Sequence, residues 1–345
     1  MPERANSPGG RTYAEEATAL MKSYVGKDLF SGAVLVAVAG RPVFKMSFGL
    51  ANREWDLPNT PDTKFRIGSV TKTFTAVALL QLAERAMLKL SDPIGSFFSP
   101  APVAWQKITM QHLLTHMSGI PSYTGLTDFT AKLSKIDRSP AEIIELTQNE
   151  PLRFEPGRQF AYSNSGYILL GYVIEKVTGL SYRTYLQENL FGPLLMCNTG
   201  YDDSTTILPR RASGYQCSSG RVGNASYVAM SLPFAAGSLY STIDDLLIWD
   251  QALSNGKVLN AESLRAMFTD YGHGYGFGWI VDREFDRPLQ AHNGAINGFR
   301  STLDRYPEDK LTVIILSNLE TSPVEKLARE LAALGLGVTR PVNLI

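Results

Sequence analysis

The chain has 345 residues, with 33 Lys and Arg against 33 Asp and Glu and apolar side chains at 44%. That is the profile of an ordinary globular protein with ample material for a core. The lack of a basic excess argues against nucleic acid as the main partner. The longest apolar runs, residues 33–39 and 311–316, fall far short of the ~20 residues that a membrane-spanning helix needs. Residues 1–11 are polar and hold no apolar run of the signal-peptide kind. The chain is therefore expected to be cytoplasmic, or periplasmic or secreted if a leader was removed. Cys197 and Cys217 lack the CxxC spacing of redox or zinc sites.

Taken in order, residues 33–39 and 43–48 are β-rich runs around the turn-forming Gly40-Arg41-Pro42, which reads as a hairpin. Residues 71–85 carry apolar side chains on nearly every side, among them Phe74, Val77, Ala78, Leu80 and Leu82, as in a helix buried all round. Further helices are expected over 109–116, 140–148 and 165–178, the last ending at Gly179 as C-cap. Residues 197–235, rich in Ser, Gly, Asn and Pro, read as long loops. Strands return at 275–282, 289–292, 299–306 and 310–318, and a helix closes the chain over 322–334. The links between the last three strands are too short for parallel crossovers. The expected class is therefore α+β: an antiparallel β-sheet flanked by helices, with a mainly helical inserted region. Residues 12–68 and 236–345 would build the sheet domain from both chain ends. Residues 69–235 would form the helical region with long cleft loops.

Three segments can carry chemistry. In Gly68-Ser69-Val70-Thr71-Lys72, Ser69 opens the buried helix and Lys72 lies one turn on, within side-chain reach. A serine hydroxyl needs a neighbouring base, and a lysine shielded from water can have its pKa lowered enough to serve. The helix start also supplies backbone N–H groups beside an attacked carbonyl. The second segment, Phe160-Ala161-Tyr162-Ser163-Asn164-Ser165, places a tyrosine and an asparagine two apart before a helix. The third is His292-Asn293-Gly294-Ala295 at the end of a strand. Singly, each has a bland account as helix cap or tight turn.

Jointly, the order S-x-x-K, Y-x-N and a basic residue-x-Gly resembles the serine β-lactamase and penicillin-binding-protein superfamily. The chain is most similar to its class C β-lactamase-like branch of esterases, D-aminopeptidases, D-alanyl carboxypeptidases and acyltransferases. Leu113-Leu114-Thr115-His116-Met117-Ser118-Gly119 looks like that branch's LLTHTSG segment, and Gly237-Ser238-Leu239-Tyr240-Ser241-Thr242 like its GGLYST. The resemblance implies Ser69 as acylated nucleophile, Lys72 as its proton acceptor, and Tyr162 as a second base whose phenolate is favoured by Lys72. It implies an oxyanion hole from the Ser69 and Ala295 N–H groups, and substrate contacts from Tyr123, Asn164, His292, Asn293 and Gly294. Gly294 would let substrate lie along the strand edge. No metal or organic cofactor is implied, and the partner is a small ester, amide or peptide.

One position departs from the usual Lys-Thr-Gly of β-lactamases: His292 stands at the lysine. A histidine with its ordinary pKa of ~6.5 is mostly neutral at pH 7 and holds a carboxylate weakly. The expectation is an esterase-like serine hydrolase with weak or no β-lactamase activity. A D-amino-acid-specific peptidase, D-alanyl carboxypeptidase, β-lactamase or acyltransferase on the same scaffold is the alternative. A non-catalytic β-lactam- or peptidoglycan-binding module is an alternative of another class. His112 and His116 have zinc-pair spacing but lack the Glu of H-E-x-x-H and read as packing or hydrogen-bonding residues. The glycine alternation over 271–279 is not a dinucleotide-binding pattern and suits a turn entering a strand.

Overall fold

The first elements of the chain set the pattern of the sheet. Helix α1 (Tyr13–Val25) starts at a capping box formed by Thr12 and Glu15. It leads into β1 (Gly32–Val38), buried along nearly its whole length, and β2 (Arg41–Phe48), which is mostly exposed. Ala39 and Gly40 both have positive φ, 49° and 73°, the backbone of a two-residue primed hairpin turn. The turn thus lies one residue earlier than the expected Gly40-Arg41-Pro42. Pro42 falls inside β2, an edge strand, where the missing N–H is tolerated. The computed structural model describes residues 12–338 except Ala131. Residues 1–11, the segment read above for a leader, and residues 339–345 lie outside the described residues.

Helix α2 (Thr71–Glu84) follows a 3-10 turn at Gly68–Val70 and is buried without interruption from Thr71 to Leu82. Helix α3 (Asn164–Thr178) ends at Gly179, whose φ of 71° makes the expected left-handed C-cap. The helices between them are shorter than their patterns suggest, Met110–Leu114 and Pro140–Glu145. The loop-rich stretch holds short strands at Gly200–Tyr201, Tyr215–Ser218 and Arg221–Asn224. Four strands then return as β3 (Ile280–Glu284), β4 (Arg287–Ile296), β5 (Phe299–Tyr306) and β6 (Leu311–Ser317), and α4 (Val324–Leu336) closes the described chain.

The sheet order is β3-β4-β5-β6-β1-β2, antiparallel throughout. Pairing of β1 with β6 joins the two chain ends. Alternation then divides the core. Val34, Val36, Val313 and Ile315 pack beneath α1 and α4, whereas Ala33, Leu35, Ala37, Ile314 and Leu316 pack against the helical side.

Two strand expectations need correction. The strand expected from residue 275 starts only at Ile280, because the preceding glycines serve close packing instead. A Cβ on Gly278 would lie 2.7 Å from the Lys72 carbonyl oxygen, and one on Gly276 2.2 Å from that of Met267. The strand expected over 289–292 continues to Ile296 and presses on the turn before α2. A Cβ on Gly294 would lie 2.0 Å from the Ile67 carbonyl oxygen and 2.3 Å from Ser301 Oγ. Gly294 therefore allows strand and turn to touch. Replacing Gly294 by Ala should cost about 1–3 kcal/mol of stability, as over-packing does. Gly223→Ala, with nothing within 4 Å of the added methyl, should change it by less than about 0.5 kcal/mol. Denaturant midpoints of the two variants check this, and equal midpoints would refute it.

Candidate active site

Ser69 sits in the 3-10 turn that carries the chain from the short strand Phe65–Arg66 into α2. Lys72, one turn on, is fully buried. Its Nζ lies 3.0 Å from Ser69 Oγ, 2.9 Å from Asn164 Oδ1 and 2.8 Å from the Ala236 carbonyl oxygen. The last two oxygens can only accept. A neutral amine donates its two hydrogens to them and turns its lone pair toward the serine hydroxyl. Burial pushes the Lys72 pKa well below the ordinary lysine value. The tyrosine rings of Tyr162 and Tyr167, 4.9 and 5.4 Å from Nζ, favour a cation by about 0.5–2 kcal/mol. An unpaired buried ammonium costs several kcal/mol, so desolvation wins.

Asn164 opens α3. Its N–H donates to Ser122 Oγ at 3.1 Å and its Nδ2 to Thr124 Oγ1 at 3.3 Å, which leaves Oδ1 for the lysine. The Tyr162 hydroxyl is near enough to Ser69 for the serine to lower its pKa, though less than burial raises it. The residue is 39% exposed, but its hydroxyl is the desolvated end, and burial raises its pKa above the ordinary tyrosine value. The expected phenolate is thus disfavoured: burial pushes Lys72 toward the neutral amine and keeps the proton on Tyr162.

The free edge of β4 faces this group. Strand β3 pairs with β4 only as far as Ile280 opposite Ala291. On the other side Ile296 and Phe299 flank the two-residue turn into β5. Antiparallel alternation therefore turns the backbone groups of Asn293 and Ala295 to the open edge. A Cβ on Gly68 would lie 2.8 Å from the Ala295 nitrogen, so the Ala295 N–H lies beside the turn that carries Ser69. The Ser69 N–H belongs to a first helical turn, whose amides have no intrahelical acceptor. Both amides thus lie near the serine, the pair that the resemblance names for the oxyanion hole.

Three other expected contacts stand differently. Asn293 projects from the opposite face of β4 and donates to Glu325 Oε1 at 3.0 Å, because alternation sends its side chain away from His292. Tyr123 is 2% exposed and its hydroxyl donates to the Leu232 carbonyl oxygen at 2.9 Å, so it is a packing residue and not a cleft wall. His292 is on the site face but 3% exposed, with Nε2 2.9 Å from the Tyr275 hydroxyl and Nδ1 2.7 Å from the Asn293 carbonyl oxygen. Burial, and then the Lys72 charge, push its pKa down to about 3.

Sequence reasoning missed Ser122, Thr124, Tyr275 and the positioning part of His116. At φ 58°, His116 accepts the Ser163 N–H on Nδ1 at 3.1 Å and the Ala161 N–H on its carbonyl at 3.0 Å, thereby holding both neighbours of Tyr162. Its ring lies 4.2 Å from that of Tyr162. His112 accepts the Thr109 N–H in a helix cap. Both are the hydrogen-bonding histidines expected.

An antiparallel sheet closed by both chain ends, with a serine at the head of a buried helix, is the β-lactamase/transpeptidase fold. The chain belongs to the β-lactamase family, whose family model matches residues 17–336. It is 30% identical over 318 residues to penicillin-binding protein 4* of Bacillus subtilis (strain 168), covering 85% of this chain and 69% of that one. The solved penicillin-binding protein from Bacillus halodurans is similar at 28% identity and a TM-score of 0.82, over 92% of this chain and 98% of that one. A D-stereospecific amidohydrolase from Streptomyces sp. is similar at 25% and 0.83, over 94% and 99%. Family and neighbours together support a serine hydrolase.

Arg cannot give up its proton, so Lys72→Arg should lower the acylation rate about 10²–10⁴-fold, the usual contribution of a general base. In the parent protein the neutral amine is the active form. Acylation should then fall as pH drops through the depressed Lys72 pKa and stay flat above it, without rising further toward 10.5. Stopped-flow acylation across pH measures both, and a rate still climbing to pH 10.5 would contradict the assignment.

Proposed function

We propose that the protein is a serine hydrolase that cleaves an ester or amide bond of a small substrate through an acyl-enzyme on Ser69. On this reading it is carboxylesterase-like, with weak or no β-lactamase activity. The observation that carries it is Lys72 Nζ at 3.0 Å from Ser69 Oγ in a fully buried setting. Lys72 takes the hydroxyl proton as Oγ bonds to the substrate carbonyl carbon. The developing oxyanion lies between the Ser69 and Ala295 N–H groups, where preorganised donors have most effect. As the carbon–oxygen or carbon–nitrogen bond breaks, Tyr162 hands its proton to the leaving group and is reprotonated from Lys72. Water then attacks the acyl-enzyme, giving its proton to the same pair, and Ser69 is restored with release of the acid.

The low β-lactamase expectation rests on His292, which stands at the usual lysine position and is neutral at pH 7. Cleavage of a D-amino-acid amide is the second reading, favoured by likeness to the Streptomyces amidohydrolase. It uses the same steps with ammonia leaving.

Turnover of a short p-nitrophenyl ester, a D-amino-acid amide and nitrocefin separates these readings, with intact-mass detection of the adduct. Ester turnover should exceed nitrocefin turnover by more than about 100-fold, the scale on which a missing charged contact discriminates. Ser69 should carry the adduct, and Ser69→Ala should abolish it. Efficient nitrocefin hydrolysis with poor ester turnover, or labelling elsewhere, would overturn the proposal.

A further inference from the structure

A cavity of about 770 Å³ opens at the end of the sheet away from Ser69. Its floor is Arg305 of β5, five residues along the strand from Arg300, the partner of Ala295, which is about 17 Å at the usual rise. None of its lining residues belongs to the Ser69 group. The walls come from the Ala39-Gly40 turn, the end of the helix Ile243–Ser254, the helix Ala261–Met267 and the turn between β5 and β6. Leu253, Leu264, Phe268 and Leu311 make much of that lining apolar. Such a volume is of the size that holds a small organic molecule.

The polar groups of the cavity are out of balance. Arg305 is 5% exposed and donates from Nε to Asp250 Oδ1 at 2.6 Å, from Nη1 to Gln290 Oε1 at 2.7 Å and from Nη2 to Ser254 Oγ at 2.7 Å. Thr312 donates to the other Asp250 oxygen at 2.9 Å. The one carboxylate of the lining is therefore neutralised, with both oxygens taken. Gln290 must turn its carbonyl to the guanidinium, which can only donate. Its amide Nε2 is left, and it donates to no acceptor among the described residues. Arg265 and Lys310 are exposed, and neither side chain has a hydrogen-bond or ion-pair partner among the described residues. Three cations thus line the cavity against one carboxylate, and the unpaired charge is all positive.

We propose that this cavity is a second binding site, separate from the Ser69 site, for a small organic anion whose acidic group is matched by Arg265, Lys310 and the Gln290 amide and whose apolar body lies against Leu253, Leu264 and Phe268. An apolar molecule would cover the Gln290 amide without giving it a partner, and a cation would meet two like charges. An anion satisfies both. The floor is built before a ligand arrives, because Arg305 is fixed by its bonds and by the rings of Phe268 and Trp279, 5.2 and 5.6 Å from its guanidinium carbon. Preorganisation of that kind lowers the cost of binding. The inference is independent of what Ser69 acts on.

The test uses the full chain and two dyes without a cleavable bond, 1-anilinonaphthalene-8-sulfonate and N-phenyl-1-naphthylamine, alike except for the sulfonate. In fluorescence titrations the sulfonate should bind at one site per chain, at least about 10-fold more tightly than the uncharged dye, the scale of a charge-assisted contact. Lys310→Glu and Arg265→Glu should each weaken it about 10-fold and leave the uncharged dye unaffected, whereas Lys310→Arg, which keeps the charge, should bind it like the parent. Gln290→Glu keeps an acceptor for Arg305 but removes the amide donor, and should weaken it too. Octanoate or octyl phosphate should displace the bound sulfonate and octanol should not, and the better competitor identifies the head group. If Gln290→Glu does not fold, the variants at the two exposed cations and the dye ratio still decide. Equal binding of the two dyes, saturation at several sites per chain, or unchanged sulfonate affinity in Lys310→Glu and Arg265→Glu would overturn the inference.

Discussion

An amine buried among neutral groups governs the site. Lys72 Nζ meets two carbonyl oxygens, a hydroxyl and two tyrosine rings, and no carboxylate. An ammonium there would lose its water without gaining a counter-ion, so burial lowers the Lys72 pKa and favours the neutral amine. The neighbours conform. His116 and His292 are pushed down by burial with a further contribution from Lys72, and Tyr162, Tyr167 and Tyr275 are pushed up. Burial thus biases each of these groups toward its neutral form. On the proposed pathway, charge first appears when Oγ attacks, as an ammonium and an oxyanion formed together. Both find groups already aimed at them: the Asn164 and Ala236 oxygens at one end and backbone N–H groups at the other. Preorganisation of that kind spares the reorganisation that water would need.

That arrangement requires backbones to approach more closely than side chains allow. The first turn of α2 is held on two sides through glycine. Gly294 brings β4 against Ile67, where Ser301 Oγ also donates to the Ile67 carbonyl at 2.8 Å, and Gly278 brings the 275–279 loop against the Lys72 carbonyl. Gly68 itself, at φ 49°, touches Ala295. Each contact is a steric permission for catalytic geometry, since a methyl at any of them would meet backbone at less than 3 Å.

Local chemistry explains which parts were legible beforehand. The antiparallel plan, the all-round burial of α2, the Gly179 cap and the Ser69–Lys72 pair rest on periodicity, turn residues and short-range spacing, whereas Tyr162 and Asn164 were joined to that pair only by the family resemblance. What failed depends on contacts far apart in sequence. The phenolate expected at Tyr162 considered the lysine charge but not burial, which disfavours that charge. Tyr123 seemed a cleft residue because its hydroxyl partner, Leu232, lies in a loop more than a hundred residues on. Asn293 was misassigned for a simpler reason, since the period of two in a strand already sends neighbours to opposite faces. The same period that brings His292 to the site removes Asn293 from it.

The outward face that Asn293 joins is how the free edge of β4 is held. Past Ala291 the strand has a hydrogen-bonding partner on one side only, which would ordinarily leave it to fray. Beneath it, Asn293 is tied to Glu325 in the first turn of α4, and its cross-strand neighbour Thr302 donates to Asp304. Asp304 is buried, and burial with the nearby Glu284 and Glu325 raises its pKa to about 7. Thr302 supplies that carboxyl with a hydrogen-bond donor, so the outward face carries a polar group satisfied within the sheet. An edge that must stay open toward the serine is thus secured from β5 and from behind. Through Glu325 the terminal helix is tied to the strand that carries Ala295.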